Sequence, residues 1–147
     1  MGVSRDALIG AWVLDDFRIT FSDGRDPVFP FGPDAIGQIT YTESGHMSAV
    51  LSRANRPLLT ASRLETTGSA PDSEKARAFD SYLSYGGTWY LEGDDVVHHV
   101  THALSPNLVG QDNRRHITVG DHAVTLSYRL VAKSGVERTY SLRWVRP

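Results

Sequence analysis

Residues 87–145 read GTWYLEGDDVVHHVTHALSPNLVGQDNRRHITVGDHAVTLSYRLVAKSGVERTYSLRWV, and apolar and polar side chains alternate through most of this stretch. Alternation with a period of two is typical of β-strands that bury one face, and turn residues interrupt it at short intervals. The pattern predicts strands at residues 87–92, 96–102, 112–119, 123–132 and 136–145. Because no segment between them is long enough for a helical crossover, we expect these strands to be antiparallel.

The N-terminal half continues the pattern. It predicts strands at residues 11–21, 36–42 and 46–51. Ser4 is expected to cap a short helical turn, and the one helix is predicted at residues 73–84, with an apolar stripe through Phe79 and Leu83. Eight strands joined in series close most economically into an up-and-down barrel, because closure removes exposed sheet edges. The alternative is a β-sandwich, whose crossover could lie only in residues 52–72.

The composition is that of a soluble domain. The chain has 147 residues, enough for one continuous core, with 40% hydrophobic and 22% charged residues. A net charge of -2 with scattered Lys and Arg gives no basic surface, so nucleic acid is not an expected partner. No cysteine is present for disulfides or thiolate metal sites, and no apolar run is long enough for a membrane span.

The N-terminal residues, MGVSRD, contain no apolar segment typical of a secretory signal. We therefore expect a single domain over residues 1–147 in the cytoplasm, without membrane association. A homodimer stays open.

Several short motifs resemble those of one family. Gly10-Ala11-Trp12 matches the Gly-x-Trp start found across lipocalins, and residues 37–49 resemble the G-x-I-x-Y-T-x-x-G-x-M-S stretch of the bacterial and fungal lipocalin-like domain family. Three further matches follow in the family's order, at residues 87–89, 98–100 and 106–110. The resemblance implies a barrel with a small-molecule cavity, and it leaves the activity to be argued from that cavity.

Strand alternation also predicts which side chains face the barrel interior. The expected ligand-binding residues are Trp12, Leu14, Arg18, Ile39, Tyr41, Met47, Trp89, Val100, His102, Arg138, Tyr140 and Trp144. The expected catalytic residues are His98, Asp16, Arg115 and Tyr128. An apolar interior with a few convergent polar groups is typical of a ligand site. The helix and residues 26–34 are expected to cover the barrel mouth.

His98 is the expected acid–base group, because imidazole titrates near neutral pH and Asp16 could fix its tautomer. Arg115, Tyr128 or Tyr41 would stabilise a developing enolate or phenolate oxygen. The alternative for His98 is a structural role, with hydrogen bonds to a neighbouring tyrosine or backbone group.

The inward-facing arginines Arg115 and Arg138 have two readings. Either side chain could bind a carboxylate or phenolate, or could close the barrel by stacking on Trp12.

Three neighbouring histidines, His98, His99 and His102, invite a metal site, but strand geometry argues against it. His98 and His99 point to opposite faces, and His98 and His102 are roughly 13 Å apart along an extended strand. We expect neither a metal nor another cofactor.

Two functions fit these observations. The first is a cofactor-free enzyme that isomerises, cyclises or dehydrates an aromatic or polyketide-like molecule in a biosynthetic pathway. The second is a binding or carrier protein for such a molecule. Inward-facing charges favour the enzyme, because a passive carrier of an apolar ligand gains little from them.

Overall fold

The computed structural model describes residues 2–60 and 69–147, and within them the chain forms a closed eight-stranded antiparallel barrel. The elements in chain order are α1 (Arg5–Leu8), β1 (Gly10–Phe21), β2 (Ile36–Tyr41), β3 (His46–Ser52), α2 (Asp72–Asp80), β4 (Tyr82–Glu92), β5 (Asp95–Ala103), a 3₁₀ turn (Pro106–Leu108), β6 (Asp112–Gly120), β7 (Ala123–Val131) and β8 (Glu137–Val145). Each strand pairs with the next, and β8 pairs with β1. The predicted up-and-down barrel is confirmed, and the sandwich alternative is wrong.

Local sequence accounts for the short connections. The Ser4 side chain accepts a hydrogen bond from the backbone N–H of Ala7, which caps α1 as predicted. Gly93 and Gly135 adopt positive φ angles of 63° and 88° in the turns that follow β4 and β7. Glycine is favoured in this left-handed region because it has no Cβ.

The predicted helix at 73–84 is wrong in its last residues, because the chain leaves the helix after Asp80 and enters β4 at Tyr82. Leu83 pairs with Leu51 of β3, and Tyr85 pairs with Ala49. The ladder to β3 therefore overrides the helical spacing of Phe79 and Leu83. The predicted irregular segment 52–72 is described only in part, since residues 61–68 lie outside the described residues.

Two bulges reverse the inward and outward alternation. In β1, Leu14 pairs with Trp144 and Asp16 with Arg143, so Asp15 is an extra residue. In β5, Gly86 pairs with His102 while Gly87 pairs with Val100, so Thr101 is extra. Beyond each bulge, side chains that simple alternation places inside lie outside.

The N-terminal end of β1 closes the barrel. Trp12 is buried and its Nε1 donates to the carbonyl of Leu8 at 2.9 Å. The guanidinium of Arg146 stacks 3.6 Å from the centroid of the Trp12 ring. The prediction that Arg115 or Arg138 stacks on Trp12 is therefore wrong, because the chain after β8 brings Arg146 to this end.

The opposite end is the mouth. Residues 26–34 fold back beside it, where Val28 bridges to Ile19 and Phe31 packs edge-on against Phe17, with ring centroids 6.1 Å apart. Phe31, Phe79 and Leu83 help to line an outer hollow of about 240 Å³.

Within residues 2–60 and 69–147, no helix is long and apolar enough to cross a bilayer.

Candidate ligand-binding site

The barrel encloses a cavity of about 80 Å³. Its apolar wall consists of Phe17, Ile39, Ala49, Leu51, Leu83, Leu126, Leu142 and Trp144. The polar side chains in the wall are Tyr85, His98, Arg115 and Tyr128. An apolar cavity that holds benzene measures about 150 Å³. A one-ring ligand therefore extends from this cavity into the mouth or displaces a side chain such as Leu83, which also lines the outer hollow.

His98 on β5 is held between two tyrosines, one on the adjacent strand β4 and one on β2, which lies two strands beyond β4 in the barrel wall. Its Nε2 lies 2.7 Å from the Tyr41 hydroxyl, and its Nδ1 lies 2.7 Å from the Tyr85 hydroxyl. The side chains of His98 and Tyr41 are both 1% exposed. These contacts match the alternative expected for His98, in which the imidazole hydrogen-bonds to a neighbouring tyrosine.

Burial keeps all three groups neutral. Desolvation, reinforced by the charge of Arg115, lowers the pKa of His98 from 6.5 to about 3. Desolvation raises the pKa of Tyr41 well above its usual value, and it raises the pKa of Tyr85. A neutral imidazole has one N–H and one acceptor nitrogen, so the protons along this chain must run in one direction.

The surroundings of Tyr41 decide that direction. Among the described residues, the only hydrogen-bond partner of its hydroxyl is His98 Nε2. If Nε2 carried the proton, the Tyr41 O–H would be buried without an acceptor, at a cost of about 1–3 kcal/mol. Tyr41 therefore donates to Nε2, and Nδ1–H donates to the oxygen of Tyr85. The Asn113 side chain also hydrogen-bonds the Tyr85 hydroxyl and partly offsets the rise in the pKa of that tyrosine, so Asn113 acts as a second donor to the oxygen. The O–H of Tyr85 can then donate to a molecule in the cavity that it lines.

Arg115 brings a positive charge to the same cavity. Its guanidinium lies 3.9 Å from the centroid of the Tyr128 ring, and Tyr128 in turn stacks on Tyr140 with centroids 4.6 Å apart. Nη1 of Arg115 donates to the backbone carbonyl of Arg114 at 2.9 Å. Within the described part of the chain, no carboxylate forms an ion pair with Arg115.

Trp144 adds a buried polar atom. The side chain lines the cavity and is 1% exposed, and its indole N–H has no hydrogen-bond partner among the described residues.

The structure brings five predicted site residues together in the cavity wall, namely Ile39, His98, Arg115, Tyr128 and Trp144. Tyr41 lies directly behind His98, and Tyr140 supports Tyr128. Trp12, Leu14, Met47, Trp89 and Val100 are buried in the core and do not contribute to the cavity wall.

The predicted contact between Asp16 and His98 is wrong. Because of the extra residue Asp15, Asp16 and Arg18 do not face the interior, and they pair with each other at 2.6 Å. The inward positions beyond the bulge belong to Phe17, which lines the cavity, and Ile19, which is partly buried.

Two further predictions about inward-facing residues are wrong. His102 is exposed, because the extra residue Thr101 reverses its facing, and its Nδ1 contacts the Thr101 hydroxyl. Arg138 is exposed near the end of β8, with its guanidinium 5.9 Å from the centroid of the Phe21 ring.

Sequence reasoning missed Tyr85, the residue that presents a free O–H to the cavity. The predicted helix covered part of its strand, so β4 was expected to begin after it. The alternation of Leu83, Tyr85, Gly87 and Trp89 in the sequence would have extended the strand backwards to include it.

The side chains of His98, His99 and His102 do not converge. His98 is buried, whereas His99 is exposed and pairs with Asp112 at 2.7 Å. Among the described residues, no three His, Asp or Glu side chains lie close enough to hold a metal ion.

A closed eight-stranded barrel with an apolar cavity and a few polar groups is typical of β-barrels that bind small molecules. A family model described as a lipocalin-like domain matches residues 9–146, nearly the whole chain. The chain therefore belongs to the lipocalin-like domain family, and its barrel fits the binding of a small hydrophobic molecule. No curated protein and no solved structure matches the sequence.

Proposed function

We propose that this protein binds a small, mostly apolar molecule in the barrel and catalyses a cofactor-independent acid–base reaction at an oxygen of that molecule. The hydrogen-bonded chain from Tyr41 through His98 to Tyr85 carries the proposal, because it leaves one polarised O–H at the cavity. Tyr85 is the catalytic residue in this account. His98 is a positioning residue, since tyrosines occupy both of its nitrogens and its pKa of about 3 makes it a poor base near neutral pH.

The chemistry follows from the donors. When a proton leaves a carbon next to a carbonyl group, negative charge develops on the carbonyl oxygen, and the O–H of Tyr85 and the guanidinium of Arg115 stabilise that charge. No carboxylate lines the cavity within the described residues, so we assign the departing proton to a hydroxide ion that enters from solvent at the open mouth and leaves as water. Isomerisation, cyclisation and dehydration can all proceed through such an enolate.

The substrate class follows from the cavity's size and lining. A one-ring aromatic or alicyclic molecule fills the cavity and extends into the mouth. A larger polyketide-like molecule fits if it continues past Leu83 into the outer hollow. We place this reaction in a biosynthetic pathway in the cytoplasm.

The second candidate is a non-catalytic binding or carrier protein. One observation favours it: the pKa of His98 is lowered to about 3, and that of Tyr85 is raised, so neither group is poised near neutral pH. A barrel that only holds its ligand needs no such group.

Deuterium exchange of a small ketone separates the two functions. Cyclopentanone is incubated in D₂O with the wild type, Tyr85→Phe or Tyr90→Phe, and loss of its α-protons is followed by ¹H NMR. Tyr90 is 47% exposed on the same strand, so Tyr90→Phe is the matched control. We expect the wild type to accelerate exchange, Tyr85→Phe to lose about 10²–10³-fold of that rate, and Tyr90→Phe to keep it.

Binding is measured in parallel from ketone line broadening in the same samples. Binding of cyclopentanone without exchange above the buffer rate would remove the enzyme proposal and support the carrier. Equal exchange by the wild type and Tyr85→Phe would remove Tyr85 from the reaction.

A further inference from the structure

We infer that the natural ligand of this cavity is an organic anion, a compact and largely apolar molecule whose carboxylate or enolate oxygens pair with Arg115. The inference rests on the proposed function, because it names the substrate class of the same cavity.

The charges in the cavity wall carry the inference. Arg115 is the cation in that wall, and within the described residues no acidic side chain lines it. The neighbouring Arg114 differs, because it contacts Glu92 at 3.2 Å and Asp95 at 3.4 Å on the outer face. A half-buried guanidinium without a carboxylate partner is costly, and an anionic ligand would remove that cost.

The stacking contacts of Arg115 suit recognition of a planar anion. Its guanidinium stacks on Tyr128, which stacks on Tyr140 at an interplanar angle of 6°. Stacking orients the planar fork, which matches carboxylate geometry with paired N–H donors. Two residues before Tyr140 on β8, the exposed Arg138 adds positive charge near the same end of the barrel.

The position of Arg115 also fits the cavity's size. A one-ring molecule cannot be enclosed by about 80 Å³, so part of it stays in the mouth. Arg115 lines the cavity and remains partly exposed, so an anionic group at Arg115 keeps contact with water while the far side of the ring enters the cavity. This arrangement avoids most of the cost of burying a charge.

Benzoate and benzamide test the inference, because they share shape and differ in charge. Their dissociation constants are measured by isothermal titration calorimetry at pH 7 on the wild type, Arg115→Gln, Arg115→Lys and the outer-face control Arg114→Gln. We expect the wild type to bind benzoate about tenfold or more tightly than benzamide. Arg115→Gln should lose this preference, Arg115→Lys should keep part of it, and Arg114→Gln should keep it.

Equal binding of benzoate and benzamide by the wild type, or binding of neither, overturns the inference. Loss of the preference in Arg114→Gln to the same extent as in Arg115→Gln also overturns it, because the effect would then be general surface charge. Cyclopentanone is uncharged, so exchange without a benzoate preference overturns the anionic ligand alone. A benzoate preference without exchange removes the catalytic reaction and keeps the anionic ligand.

Discussion

Replacing His98 by leucine is expected to destabilise the barrel through one particular atom, the hydroxyl oxygen of Tyr41. Leucine resembles histidine in size, so the loss of packing is small. The Tyr41 hydroxyl, however, loses its hydrogen-bond partner among the described residues, and Tyr41 is only 1% exposed. A buried, unpaired hydroxyl costs about 1–3 kcal/mol. The Tyr85 hydroxyl lines the cavity, where water can replace the lost bond at little cost. We therefore expect His98→Leu to lower the free energy of unfolding by about 2 kcal/mol.

A double-mutant cycle isolates this contribution. Tyr41→Phe removes the hydroxyl, so His98→Leu should cost about 1–2 kcal/mol less in the Tyr41→Phe background than in the wild type. The four proteins are compared by urea denaturation at pH 7, followed by tryptophan fluorescence, with the m-value checked for constancy. If the two substitutions add within about 0.5 kcal/mol, the hydrogen bond between Tyr41 and His98 does not stabilise the fold, and the reasoning fails.

The remaining predictions are also measured by urea denaturation. Because the pKa of His98 is about 3 in the folded protein and 6.5 is its ordinary value, the unfolded chain takes up the proton first as the pH falls. The free energy of unfolding of the wild type should therefore fall by about 2 kcal/mol more than that of His98→Leu between pH 7 and pH 5. Equal decreases in the two proteins would contradict a buried neutral imidazole. Arg146→Ala should cost about 2 kcal/mol, because Arg146 stacks on Trp12 and bonds to backbone carbonyls. Arg143→Ala breaks an exposed ion pair and should lower the free energy of unfolding by under about 1 kcal/mol. If Arg146→Ala and Arg143→Ala lower it equally, the contacts of Arg146 do not stabilise the closed end. Gly87→Ala should cost about 3 kcal/mol, because its Cβ would lie 1.9 Å from the carbonyl oxygen of His99, whereas Gly120→Ala meets nothing closer than 3.7 Å and should cost under about 1 kcal/mol.

Alternation in the sequence was sufficient to predict the closed barrel and much of its interior. Ile39, His98 and Trp144 lie in the cavity wall as predicted, because the register between strands holds one face of each strand inward. The register depends on pairing that each hairpin fixes locally, so these positions can be read from short stretches of sequence.

The failures come from the two bulges. Asp16 and His102 were placed inside by an unbroken period of two, and the extra residues Asp15 and Thr101 reverse their facing. The first bulge leaves a trace in the sequence, since apolar residues shift from even positions at Trp12 and Leu14 to odd positions from Phe17 onward. The second bulge leaves no comparable trace, because the polar residues 101 and 102 fit either face.

The contacts of His98 could not be predicted from the sequence. Its tyrosine partners lie 57 and 13 residues away, and they meet it only because β2 and β4 bring their inward faces to the same level of the closed barrel. Sequence spacing gives the facing of a residue but not its neighbours across the barrel. These contacts are the reason why the proposed function assigns the reacting O–H to Tyr85 and not to His98.

The tautomer and charge of His98 test the central claim most directly, because Tyr85 presents a free O–H only if His98 is neutral and protonated on Nδ1. Protein labelled with ¹⁵N at histidine is examined by long-range ¹H–¹⁵N NMR between pH 7.5 and pH 5, with His98→Leu used to assign the His98 signals. We expect one imidazole to show a protonated Nδ1 and an unprotonated Nε2 throughout this range, without titrating. A His98 ring protonated on Nε2, or one that takes up a second proton near pH 6.5, would contradict the account.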